Sequence, residues 1–141
     1  MPSITPDSAI SLTTLFVNAA GRAETDAQSN SIFAHRISHL LFNGEFDTVD
    51  NFLEELRDSF MQDIHEMMLD GRSTNYAKLH AIAWALGQAM PYRFHLTNIA
   101  SVAHIIETHP LWLLPATHSS EAKRFHAIFR GCGLSRKTNK Q

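Results

Sequence analysis

Cysteine is nearly missing: Cys132 is the single one in 141 residues. One cysteine excludes any disulfide within the chain and fits a reducing compartment. Long apolar runs are missing too, and nothing approaches the ~20 residues a helix needs to cross a bilayer. The N-terminal MPSITPDSAISL has no basic stretch followed by an apolar core, so it does not read as a secretory signal. Charge is thin, at 18% of residues, and a net value of −2 with histidines neutral draws no class of partner by bulk attraction. The motifs GxSxG, GxxxxGKS/T, GxGxxG and HExxH are all absent. So is Glu-x-x-His, which removes the di-iron bundle signature. These absences lead to the expectation of a soluble, cytoplasmic protein that acts without a cofactor and without a membrane partner.

What is present is helical periodicity. Apolar residues make up 44% of the chain and recur at three- and four-residue spacing, while strict alternation is rare. A chain of this length buries about 68–70% of its unfolded surface, enough for one self-sufficient core. The reading is an all-α, single-domain bundle of five to seven helices over residues 1–134, followed by a frayed basic tail at 135–141.

The first helix is placed from Thr5-Pro6-Asp7 to just before Gly21. The second runs from the capping-box pattern at Thr25 to Asn43-Gly44, with Ile32, Phe33, Ile37, Leu40 and Leu41 as its inward stripe. The third runs from Asp47 or Thr48 to Asp70-Gly71, with one wide apolar face from Val49 to Met68. A fourth, apolar on more than one side and therefore central, ends at Pro91. A fifth covers Thr97 to Thr108, and a sixth runs from Ser119 or Ser120 to Arg130. Between the last two lies HPLWLLP, where Pro110 suits a first helical turn and Pro115 forces Leu114 into extended backbone. This segment reads as a one-turn plug with Leu111 and Leu114 buried, leaving Trp112 or Leu113 as an exposed anchor.

Nine histidines scatter along the chain. His35 and His39 stand one helical turn apart and form the strongest metal-ligand pair, but a zinc site needs more ligands than two. Asp63-x-His65 and His104-x-x-Glu107 would add ligands only if the fold brought them together. Cys132 sits between two glycines at a helix C-terminus, where carbonyls and the dipole disfavour a thiolate. No catalytic residue is assigned.

The charges are segregated. Between Gly44 and Gly71 nine acids face the single base Arg57, whereas from Glu121 onward six bases face one acid. Asp50, Glu54, Asp58, Glu66 and Asp70 share one series of i+4 steps, a ladder opposite the apolar stripe, with Gln62 as its one gap.

The function that follows is a non-catalytic protein-binding module: a regulator, adaptor or inhibitor, with mobile-element accessory and anti-defence proteins as one form. Its docking residues are Asp50, Glu54, Asp58, Glu66, Trp112 and Leu113, and its partner is a protein with a basic surface. A homodimer pairing the acidic helix with the basic C-terminal one fits the same layout. The alternatives are a DNA-binding regulator using Lys123, Arg124, Arg130, Arg136 and Lys137, and a histidine-based or metal-dependent enzyme without a local motif, with His35 and His39 as the candidate ligands.

Overall fold

A computed structural model describes residues 10–22, 27–61 and 76–135. Seven α-helices lie among the described residues, with no strand among them. They are α1 (Leu12–Arg22), α2 (Ala27–Phe42), α3 (Phe46–Leu56), α4 (Tyr76–Ala89), α5 (Ile99–Glu107), α6 (Pro110–Leu113) and α7 (Ser120–Phe129). A π-helical turn, Arg57–Met61, continues α3, and a 3-10 turn, Met90–His95, continues α4. Among the described residues no helix is long and apolar enough to cross a membrane.

The boundaries follow local chemistry. Ser11 caps α1, its Oγ accepting the Thr14 N–H at 3.1 Å. The Thr5-Pro6-Asp7 start and the Thr25-Asp26 cap lie outside the described residues, and α1 runs on through Gly21 instead of ending before it. The stop at Asn43-Gly44 is a Schellman closure: Glu45 N donates to Leu40 O at 2.9 Å and Gly44 N to Leu41 O at 3.0 Å. Gly44 takes the left-handed conformation this requires, with φ +78°.

Within the expected third helix, regular α-geometry ends at Leu56 and a wider π turn, Arg57–Met61, follows; the rest of the expected span, to Asp70-Gly71, lies outside the described residues. The helix also begins at Phe46, one residue ahead of Asp47, and Phe46 packs, partly buried, against the core.

The core is one continuous cluster. Phe16, Phe33 and Phe52 from α1, α2 and α3 meet at centroid distances of 5.6–5.9 Å. Each such aromatic pair is worth about 0.5–1.5 kcal/mol beyond burial. The expectation of a central fourth helix holds: α4 packs on α1, α2, α5 and α7. It buries Leu79, Ile82 and Leu86 together with Ala81, Ala83, Ala85 and Ala89, whose small side chains let neighbours approach from several sides.

Candidate functional site

The plug meets its expectation in part: of the two candidate anchors Leu113 is exposed and Trp112 is not. His109 caps α6, its Nδ1 accepting the Leu111 N–H at 3.0 Å, and its ring stacks on Phe125 at 4.9 Å. Trp112 is buried, not exposed. Its indole stacks on His126 at 4.8 Å, and its Nε1–H donates to Ser135 O at 3.0 Å. His126 Nε2–H in turn donates to Leu114 O at 2.8 Å. The reason is chemical: Trp112 is the largest apolar group of the four and carries an N–H, so burial stabilises it only where a carbonyl stands ready. Leu111 and Leu114 are half-buried, and Leu113 alone faces out, at 44% exposure. Ser135, expected as the start of the loose tail, is held further by Glu107, whose Oε2 accepts the Ser135 N–H at 2.8 Å.

The acidic ladder is partly turned inward. Asp50 is half-buried, and its carboxylate accepts the Asn98 N–H at 2.8 Å and the Thr97 hydroxyl. Asn98 is the N-cap residue of α5 but supplies no side-chain cap of its own. Asp50 therefore caps a helix some fifty residues away, answering one of its orphan donors, the Asn98 N–H, and its positive end. Asn98 closes the loop, donating from Nδ2 to Asp50 O at 3.2 Å and accepting from Arg57 Nη1 at 3.0 Å. Glu54 and Asp58 are exposed but stand 3.8 and 2.8 Å from the same guanidinium. The Arg57–Asp58 hydrogen bond holds the Asp58 carboxyl below its usual range and raises Arg57 above its own. Glu55 accepts from Thr13 of α1. Glu66 lies outside the described residues. Asp50 and Glu55 are thus tied to other helices, while Glu54 and Asp58 pair with Arg57 at the surface.

The basic end separates similarly. Arg124 lies over the Tyr76 ring, 3.8 Å from its centroid. Lys123 and Arg130 are exposed and flank a groove of about 530 Å³ floored by Ala116 and Ala127. Arg136 and Lys137 lie outside the described residues. Cys132 is buried, its Sγ donating to Ala83 O at 3.3 Å, and burial pushes the thiol up to about 11.

Sequence reasoning missed the outer face of α2. Phe33, Ala34, Ile37 and Leu41 are buried. Ile32 was grouped with them but is 44% exposed, and Phe42 is 80% exposed. His35 and His39, also exposed, lie between, with ring centroids 6.2 Å apart and planes within 22°. At about 100° per residue, Ile32, His35, His39 and Phe42 fall within about 80° of arc, roughly opposite the buried residues. The signal was available: Ile32 lies about 140° around the helix from Ile37, too far to share one narrow stripe. Among the described residues no group of three or more His, Cys, Asp or Glu is placed to hold a metal ion.

The fold class is thus an all-α bundle, with an outward helix face and a shallow basic groove as its surface features. No protein-family model matches the chain, and neither the curated proteins nor the solved structures give a match.

Proposed function

We propose that this chain is a protein-binding module that acts by docking, not by catalysis, and that its docking surface is the outer stripe of α2. One observation carries this. α2 is amphipathic twice over, with a buried stripe that holds the bundle together and an exposed one bearing Ile32 and Phe42 about 15 Å apart along its axis. A protein surface accommodates isolated apolar residues, but a stripe with an aromatic 80% exposed at its end is what helix-in-groove and helix-pair interfaces use as anchors. Of the other candidates, Asp50 and Trp112 are engaged inside the fold, while Glu54 and Asp58 stay exposed beside Arg57 and Leu113 faces out.

The test is photo-crosslinking in cells, with the reactive residue at position 32 or 42 and, as control, at exposed Asn51 on α3. The expected result is a polypeptide adduct at 32 and 42, absent at 51, and lost from position 42 when Ile32→Ser is added. No adduct at either position, or equal adducts at 51, overturns the proposal.

A nucleic-acid contact is the second reading, carried by the Lys123–Arg130 groove. It requires duplex affinity that falls steeply between 50 and 200 mM salt and weakens in Lys123→Ala. Affinity indifferent to both rejects it.

A further inference from the structure

Among the described residues the buried polar side chains are two histidines, His109 and His126, and both hold the α6 plug. They do so in opposite senses. His126 Nε2–H donates to Leu114 O, a bond that survives when the ring takes a second proton. His109 Nδ1 accepts the Leu111 N–H, so its ring is neutral and carries its proton on Nε2. An imidazolium has two N–H groups and no acceptor. A proton on Nδ1 would therefore meet the Leu111 N–H donor to donor, at a side chain 2% exposed and stacked on Phe125. Turning the ring over restores nothing, because neither nitrogen of the cation keeps a lone pair.

α6 depends on this contact more than a longer helix would. It is four residues long, too short to persist without outside help. Pro110 brings no N–H, and the Trp112 and Leu113 N–H groups both go to His109 O, at 2.9 and 3.0 Å. His109 thus accepts from all three N–H groups of the turn, twice with its carbonyl and once with its ring. The far side of the plug is tied to the C-terminal segment at one point, Trp112 Nε1–H to Ser135 O.

The charged surroundings follow from the elements packed here. α5 brings exposed His104 and half-buried Glu107, whose Oε2 accepts from Ser135. α7 brings exposed Glu121, Lys123 and Arg124 and buried His126. The segment after it adds exposed Arg130 and buried Cys132, and α4, packed on α5 and α7, adds half-buried Lys78 and His80. Among these described residues the fixed cations outnumber the acids, which disfavours one more positive charge at His109.

We propose that the plug is a pH-sensitive latch: neutral His109 holds it shut, and protonation of His109 opens residues 109–115 and frees Trp112 from Ser135. The sign follows from which state takes the proton. Only the open ring takes it, so the closed plug is most stable above about pH 7 and loses stability as pH falls through the imidazole range.

Native-state hydrogen exchange of the full chain tests this, followed by NMR at the Leu113 N–H and the Trp112 indole N–H, with rates corrected for the intrinsic effect of pH. An open ring titrates at an imidazole's ordinary value of about 6.5, so the opening constant should rise about twentyfold from pH 7 to pH 5. The Leu53 N–H, in the core of α3, should not follow, because the opening is local. His109→Asn keeps an acceptor at an N-cap and takes no proton, so its opening constant should stay within about twofold over the same range. Ring nitrogen-15 shifts of the unaltered protein at pH 7 should show His109 Nδ1 without a proton, a result independent of how any variant folds. A flat opening constant in the unaltered protein, the same rise in His109→Asn, an equal rise at Leu53, or a protonated His109 Nδ1 at pH 7 overturns the proposal.

Discussion

Replacing Asp50 by alanine tests whether the acidic helix serves the fold or a partner. The carboxylate makes two charge-assisted hydrogen bonds, to the Asn98 N–H and the Thr97 hydroxyl, and it is the cap that α5 lacks from its own sequence. Hydrogen bonds to a charged group are worth about 1.5–3 kcal/mol each, and losing an N-cap costs about 0.5–2 kcal/mol. These descriptions overlap, and Asp50 is only half-buried, so the low end of each applies. Asp50→Ala should then destabilise by about 2–4 kcal/mol. For a chain of this size, that lowers Tm by about 5–15 °C. Asp50→Asn keeps the shape and one acceptor but loses the charge, and should lose about half as much. Asn51→Ala, exposed on the same helix, should stay within about 0.5 kcal/mol of the parent. Urea unfolding at pH 7 and 25 °C, followed at 222 nm, gives all three values from midpoints at constant slope. If Asp50→Ala matches Asn51→Ala, or Asp50→Asn matches the parent, the inter-helix cap is not a stabilising element and the reasoning fails.

Three further outcomes follow. Trp112→Ala should destabilise by about 3–5 kcal/mol, because it leaves a cavity against His126 and an unanswered Ser135 carbonyl, whereas Leu113→Ser in the same turn should cost under about 1 kcal/mol; equal effects in thermal melts would reject the plug as described. The Cys132 thiol titrates near 11 when folded, against 9 in the unfolded chain, so the folded state holds its proton longer. Its contribution is complete below pH 9 and is lost as pH rises through 11, and Cys132→Ala should flatten that part of the stability–pH curve; an unchanged curve refutes it. Gly133 has φ +81°, and an added Cβ would lie 2.8 Å from Met90 Cγ, while Gly131, at φ +89°, has open space. Gly131→Ala should cost about 1–2 kcal/mol for the left-handed backbone and Gly133→Ala visibly more; the reverse order in urea midpoints would contradict the packing.

The elements legible in the sequence were those set by neighbours in the chain. The Asn43-Gly44 stop, the Ser119 cap, the extended Leu114 before Pro115 and the all-round apolar α4 were each marked by residues a few positions apart. For Cys132 the direction was readable but not its cause: the helix end disfavours a thiolate, yet it is burial against Ala83 that raises the thiol. Which face of each element meets solvent was not readable. Asp50 looks like one rung of a charged ladder until α5 arrives without a cap beside it. Trp112 looks like an exposed anchor until the Ser135 carbonyl is placed over its N–H. Ile32 passes for a core residue until α1, α3 and α4 cover only one side of α2 and leave the other to Ile32, His35, His39 and Phe42. Periodicity states that a helix has an apolar side. It does not state how many neighbours the helix will have, because side-chain burial is a property of the space between elements and is decided only when distant segments compete to fill it.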